Sequence, residues 1–246
     1  MDNKNNIKIQ YISLGLNCLP RTHYTNNKLM KTKKDGYKSC PFDLMISSYE
    51  GICNLIENDF KSFSDIELIE NPNNNNYPQN KLFFSNVANK NYNNNMLINK
   101  KYKLWFNHES PGHPFLYKTE KWSSKEMFTE NNFKLFKERY NNRINNFNNY
   151  INDSIQNNKL IVFLLNTFNT PIKLKNILIK KYPLLKFKIV TNLIDDYNKK
   201  FFIDFQNFLS NKNDLDYDKS YDKNYKDEYI LMNGFYNLNN INLLYI

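Results

Sequence analysis

The chain has 246 residues, 41% of them hydrophobic, and its 34 basic against 24 acidic residues give a formal charge of +10. That length suits one large domain or two small ones with a real core, and with no internal repeat and no linker between the halves a single α/β domain over residues 1–246 is expected. With no run of 18 apolar residues and a polar start, Met1-Asp2-Asn3-Lys4-Asn5-Asn6, the reading is a cytoplasmic protein with neither membrane span nor secretory leader.

Three cysteines, Cys18, Cys40 and Cys53, are too few and too irregular for a disulfide framework or a zinc ribbon. No metal and no cofactor is therefore expected. The positive charge invites a nucleic-acid partner but is discounted. Only three of the basic residues are arginine, Ala88 is the single alanine, and Asn, Lys, Ile, Tyr and Phe abound. An AT-rich genome writes such a composition, whether that of a protist, a low-GC bacterium or a large DNA virus (host cytoplasm or virion in that case). A surface selected to grip phosphates would use more arginine, whose planar fork pairs with them in bidentate fashion.

In chain order, Ile7, Ile9, Tyr11, Ile12 and Leu14 form a β-prone apolar run that ends at Gly15, where the backbone can turn sharply. Asn17 is a favoured helix N-cap, which places Cys18 in a first helical turn, and Pro20 is tolerated there. The helix dipole and unpaired N–H groups would favour a thiolate at Cys18. The alternative is a small packed thiol beneath the turn. The turn Ser13 to Asn17 is a candidate binding element, and Asn17 could donate its amide to an oxyanion if it is not the cap. Pro41-Phe42-Asp43-Leu44-Met45 follows, with Asp43 either orienting a catalytic base or bonding N–H groups of its own turn. Ser47-x-x-Glu50 has the spacing of a capping box, and Ile52, Leu55, Ile56 and Phe60 share one helical face. Cys40 and Cys53 are expected to be packed core thiols.

Residues 71–95 form a polar, Asn-rich excursion with one short strand at Leu82-Phe83-Phe84. Leu104-Trp105-Phe106-Asn107-His108-Glu109 then leads into a Pro-Gly turn, so His108 and Glu109 should lie at a strand end. His108 is the candidate base. His23 would point about 140° away from Cys18 on the same helix, and His113 follows the turn. Because His108-Glu109 and His113 lack the H-E-x-x-H spacing, no metal site is expected.

Phe133, Phe136, Tyr140, Ile144, Phe147, Ile151 and Ile155 recur at steps of three and four, describing a long amphipathic helix with Arg139 and Arg143 on one flank. That pair is either an anion site or a solvated or salt-bridged helix flank. Strand Leu160 to Leu165, helix Ile172 to Tyr182 and strand Leu185 to Leu193 form a β-α-β unit in the C-terminal half. Asp195-Asp196 would cap a helix carrying Phe201, Phe202, Phe205, Phe208 and Leu209. Lys212 to Glu228 reads as a charged loop, with closing strands at Tyr229 to Met232 and Ile241 to Ile246. The fold class is α/β, a mixed or largely parallel sheet flanked by helices.

The pattern S-L-G-x-N-C at Ser13 to Cys18, then P-F-D at Pro41 to Asp43, then a helix ending Asn58-Asp59-Phe60, resembles a family of papain-like cysteine peptidases, also called a domain of unknown function. Phe106-Asn107-His108-Glu109 is similar to that family's His followed by an acidic residue, and the basic helix at Arg139 and Arg143 with the strand Leu160 to Leu165 has a counterpart there. Two positions depart from the pattern, Leu44 where a tryptophan is expected and Asn166 where an arginine is. The resemblance implies a thiol-dependent hydrolase or acyltransferase acting on a peptide or small acyl substrate. Cys18 would be the nucleophile, His108 the base and Asp43 the orienting group, with Glu109 and Asn166 as alternates. The β-α-β unit instead suits an open α/β sheet, whose ligands bind at the carboxyl ends of strands. That reading is a nucleotide-sugar or other phosphorylated-ligand transferase, with Arg139 and Arg143 as anion partners and Cys18 structural. A non-catalytic interaction module is a third reading. The sequence leaves the oligomeric state open.

Overall fold

The structure is a computed structural model that describes residues 8–69, 96–109, 126–166 and 171–192. The Asn-rich excursion with Leu82 to Phe84, His113 and its Pro-Gly turn, the helix after Asp195, the charged loop 212–228 and the two closing strands lie outside the described residues.

Seven residues of β5 (Leu160–Asn166, Leu-Ile-Val-Phe-Leu-Leu-Asn) are almost all buried, the mark of a strand covered on both faces. It lies between β1 (Ile9–Gly15) and β6 (Lys186–Asn192), and both neighbours run parallel to it. Ile9 pairs with Leu160 and Gly15 with Leu165, the register slipping between Ser13 and Gly15. From β5 the chain crosses to β6 through α4 (Ile172–Lys181), the β-α-β unit read from the sequence. The fold is α/β, with a parallel three-stranded sheet and flanking helices.

A second sheet is antiparallel, in the order β2 (Glu67–Ile69), β3 (Met96–Asn99), β4 (Leu104–Trp105). A short extended segment links the two sheets. Ile46 exchanges both backbone hydrogen bonds with Trp105, at 2.9 and 2.8 Å, while the next N–H, that of Ser47, turns the other way and donates to Leu16 O at 2.9 Å. Alternation along an extended chain thus bonds residues 46–47 to the end of β1 on one side and to β4 on the other.

Of two short helices, α1 (Leu19–Asn26) packs against β1 and β5, and α2 (Tyr49–Glu57) packs against α4. The expected capping register for α2 is corrected by one residue: Ser48 is the cap, its Oγ accepting from Gly51 N–H at 2.9 Å and donating to Tyr102 O at 3.0 Å. Ser47 is held out of that role by its backbone bond to Leu16. The helix ends in a Schellman-type turn, with Asp59 at φ 53° and Phe60 N–H reaching back to Leu55 O. Tyr49 OH and Lys181 Nζ tie α2 to α4 through bonds to Leu174 N–H and Ile56 O.

The long helix α3 (Glu126–Gln156) buries Phe136, Tyr140, Arg143, Phe147 and Ile151, a stripe at steps of four, three, four and four. Its rings meet Phe60, Phe63 and Phe106 in one aromatic cluster, with Phe106 and Phe136 at 4.7 Å and Phe106 and Tyr140 at 5.0 Å between centroids. Arg143 lies in that buried stripe while Arg139 is about one-third exposed, and both are ion-paired, at 3.1 and 3.4 Å, with the same carboxylate, Glu109. Among the described residues, no helix is long and apolar enough to cross a membrane.

Candidate active site

At the carboxyl end of β1 the chain turns at Gly15, whose φ of +94° is the left-handed region that favours glycine. A Cβ there would stand 2.7 Å from Ser47 Oγ, so the two segments are in close contact. Leu16 N–H bonds Asn166 O at 3.4 Å, and Asn166 Nδ2 donates to Asn17 Oδ1 at 3.2 Å. That bond ties the Asn17 amide oxygen to the end of β5. Thr22 N–H donates to Cys18 O at 3.0 Å, so Cys18 itself is the half-in residue that opens α1. Ser13 is fully buried beneath this turn, and its Oγ and that of Ser47 have no hydrogen-bond partner among the described residues.

Cys18 is half-buried, whereas Cys40 and Cys53 are buried, and none is in a disulfide. Burial raises its thiol above the ordinary range, and hydrogen bonding from its own backbone N–H works against that rise. Cys53 is pushed up to about 12, mainly by burial, and Cys40 is raised well above its ordinary value for the same reason. Both are packed thiols, as expected of them.

Asp43 lies in a 3₁₀ turn (Pro41–Leu44) and is 1% exposed. Its Oδ2 accepts Cys40 N–H at 2.9 Å, its Oδ1 accepts Tyr37 OH at 3.1 Å, and Arg21 Nε stands 4.0 Å away. The carboxylate therefore bonds a backbone N–H of its own turn. Burial pushes Asp43 up to about 6, against the pull of the Cys40 N–H, Arg21, Arg143 and the Tyr37 hydroxyl.

His108 and Glu109 sit in a second 3₁₀ turn (Asn107–Glu109) directly after β4. Glu109 is 1% exposed and multiply bonded: Tyr140 OH donates to it at 3.0 Å, Arg143 Nη2 lies 3.1 Å away and Arg139 Nη1 3.4 Å. The Arg143 guanidinium also lies over the Tyr140 ring at 4.5 Å. His108 is half-buried; burial lowers its imidazole below the ordinary range, Glu109 raises it, and Arg143 adds a further lowering.

These groups share one region. Residues 46–47 separate Leu16 from Trp105 by two inter-strand steps of about 4.8 Å each. Cys18 lies two residues beyond Leu16, and His108 three beyond Trp105. A second path runs through charges, because Arg21, one helical turn after Cys18, meets Asp43, and Arg143 acts on both Asp43 and His108. The side chain of His23 is not described. Arg21, Lys33, Tyr37 and Tyr140 belong to this region too and were missed in the sequence. Only Arg21 had a usable signal there, its spacing from Cys18. Among the described residues, no group of three or more His, Cys, Asp or Glu could hold a metal ion.

The parallel sheet with its flanking helices, and Cys18 opening α1 just past the carboxyl end of β1, place this molecule among the α/β proteins. The family follows from comparison: the model described as "Putative papain-like cysteine peptidase (DUF1796)" matches residues 9–197, and the chain belongs to that family. No curated protein and no solved structure matches the chain.

Proposed function

We propose that the protein is a thiol-dependent hydrolase or acyltransferase in which Cys18 is the nucleophile and His108 the general base. The observation that carries this reading is the setting of Cys18, the half-exposed member of three cysteines, at the opening of α1 and the carboxyl end of β1. The sulfur attacks a carbonyl carbon, forming the carbon–sulfur bond, while His108 takes the thiol proton; the bond from that carbon to the leaving group then breaks, His108 gives the proton to the departing group, and a thioester remains on Cys18. Water or an acceptor nucleophile, deprotonated by the same imidazole, releases the acyl group and restores the thiol.

With the thiol raised and the imidazole lowered, both partners are neutral at pH 7. The resting state is a thiol beside a neutral imidazole, and the proton moves during attack. Glu109 takes the supporting role in this scheme: its charge favours the imidazolium that forms on His108. Asp43, with its oxygens committed to Tyr37 and Cys40, acts as a positioning residue that fixes the turn beside Arg21. The substrate class is a peptide or small acyl compound.

The test is acylation by p-nitrophenyl acetate, followed by intact mass and the nitrophenolate burst. A single acetyl adduct should form on Cys18 and vanish in Cys18→Ala, and His108→Ala should slow the burst about 10²-fold or more. An unchanged adduct in Cys18→Ala, or an unchanged burst in His108→Ala, overturns the assignment.

A further inference from the structure

We propose a second binding feature beside the thiol, independent of the acyl chemistry: Arg143, Arg139, Arg21 and Lys33 bind a phosphate dianion, as the free ion or as a phosphomonoester. The arginines carry the first argument. Of 34 basic residues in the chain only three are arginine, Arg21, Arg139 and Arg143, and all three converge on this one region. Where charge alone is needed, lysine serves and is abundant here. A guanidinium differs in offering a planar fork that matches phosphate oxygens in pairs.

The second argument is an orphaned donor. Arg143 is 6% exposed, and its Nη2 is held by Glu109 at 3.1 Å, but Nη1 is buried with no hydrogen-bond partner among the described residues. Buried donors are seldom left unpaired, and a guanidinium fixed by Glu109 on one arm and by the Tyr140 ring beneath is preorganised to offer the other arm.

The third is charge balance. Among the described residues, three arginines pair with two carboxylates, Asp43 and Glu109, and Lys33 lies within electrostatic reach of Asp43 and all three arginines, a surplus of two positive charges. Lys33 is exposed as a residue and forms no ion pair among the described residues, yet its ammonium is partly desolvated. That desolvation, together with Arg143, Arg139 and Arg21, lowers its pKa, against the opposing pull of Asp43. Like charges gathered at this density call for a counter-charge, and a dianion matches the surplus where a carboxylate would leave half of it. The cations also run from the solvent inward, with Lys33 exposed, Arg139 about one-third exposed, and Arg21 and Arg143 largely buried.

The test is calorimetric titration of the full chain at pH 7.5 and constant ionic strength with inorganic phosphate, phenyl phosphate and benzoate. Inorganic phosphate and phenyl phosphate should both bind one to one, a preference between them distinguishing the free ion from the ester, and benzoate at least about tenfold more weakly. Lys33→Met, a change at an exposed side chain, should weaken phosphate about fivefold, and Arg143→Lys about tenfold or more by removing the fork. Benzoate binding as tightly as phenyl phosphate would make this a carboxylate site and overturn the proposal. So would heats no larger than those of chloride, or unchanged affinity in Lys33→Met. None of these readouts depends on Cys18 or His108, so failure here leaves the thiol chemistry standing.

Discussion

Asp43 makes stability depend on pH in an unusual direction, and Asp43→Asn isolates the effect. Most native carboxylates are held below their ordinary range, so proteins lose stability as acid protonates them. Asp43 is the reverse case, pushed up from 3.8 to about 6 by burial. Between those values the folded chain holds a proton that the unfolded chain has released, so stability falls as pH rises from about 4 to about 6 and is level on either side. The displacement corresponds to about 3 kcal/mol, at 1.36 kcal/mol per pH unit. Asparagine keeps the shape and can still bond Tyr37 and Cys40 while removing the titration. Urea unfolding of both proteins at half-unit steps from pH 3.5 to 7.5 should give a difference curve in which the parent loses about 3 kcal/mol relative to Asp43→Asn across that window. A difference that stays flat would refute the reasoning. One that rises with pH would show that Arg21 and Arg143 stabilise the carboxylate by more than burial penalises it.

Two substitutions test the turns that shape the site. Gly15→Ala should cost about 1–2 kcal/mol in urea unfolding, from the positive φ and the 2.7 Å contact with Ser47 Oγ. Adding Ser47→Ala should recover the contact but not the backbone strain, so a double variant as stable as the parent would show the strain to be absent. Ser48→Ala removes the cap of α2 and a buried bond to Tyr102 O, and should lower stability by about 2 kcal/mol; a change below about 0.5 kcal/mol would mean another group caps the helix.

The β-α-β unit was legible because strand β5 is apolar without alternation, which only a strand covered on both faces can be. Helix starts were displaced by one residue at both Asn17 and Ser47, for one reason. Each was drawn into a tertiary bond, Asn17 with Asn166 and Ser47 with Leu16, and the next residue took its place. Residues 149 and 31 positions apart in the chain set those caps, so no local pattern could show them. Arg143 was in phase with Phe136, Tyr140 and Phe147 from the start, and helical periodicity alone would have turned it inward. What the sequence hid was its partner, a buried Glu109 on a different element. The pairing of Arg21 with Asp43 and the approach of Lys33 depend on the path of residues 27–40, which has no regular element to betray it.

The short segment at Ile46 and Ser47 makes the two sheets a single mechanical unit. Two backbone bonds join Ile46 to β4 and one joins Ser47 to the residue after β1, so the segment couples the end of one sheet to the edge of the other through the main chain itself. The thiol turn and the histidine turn are therefore mounted on one stiff frame.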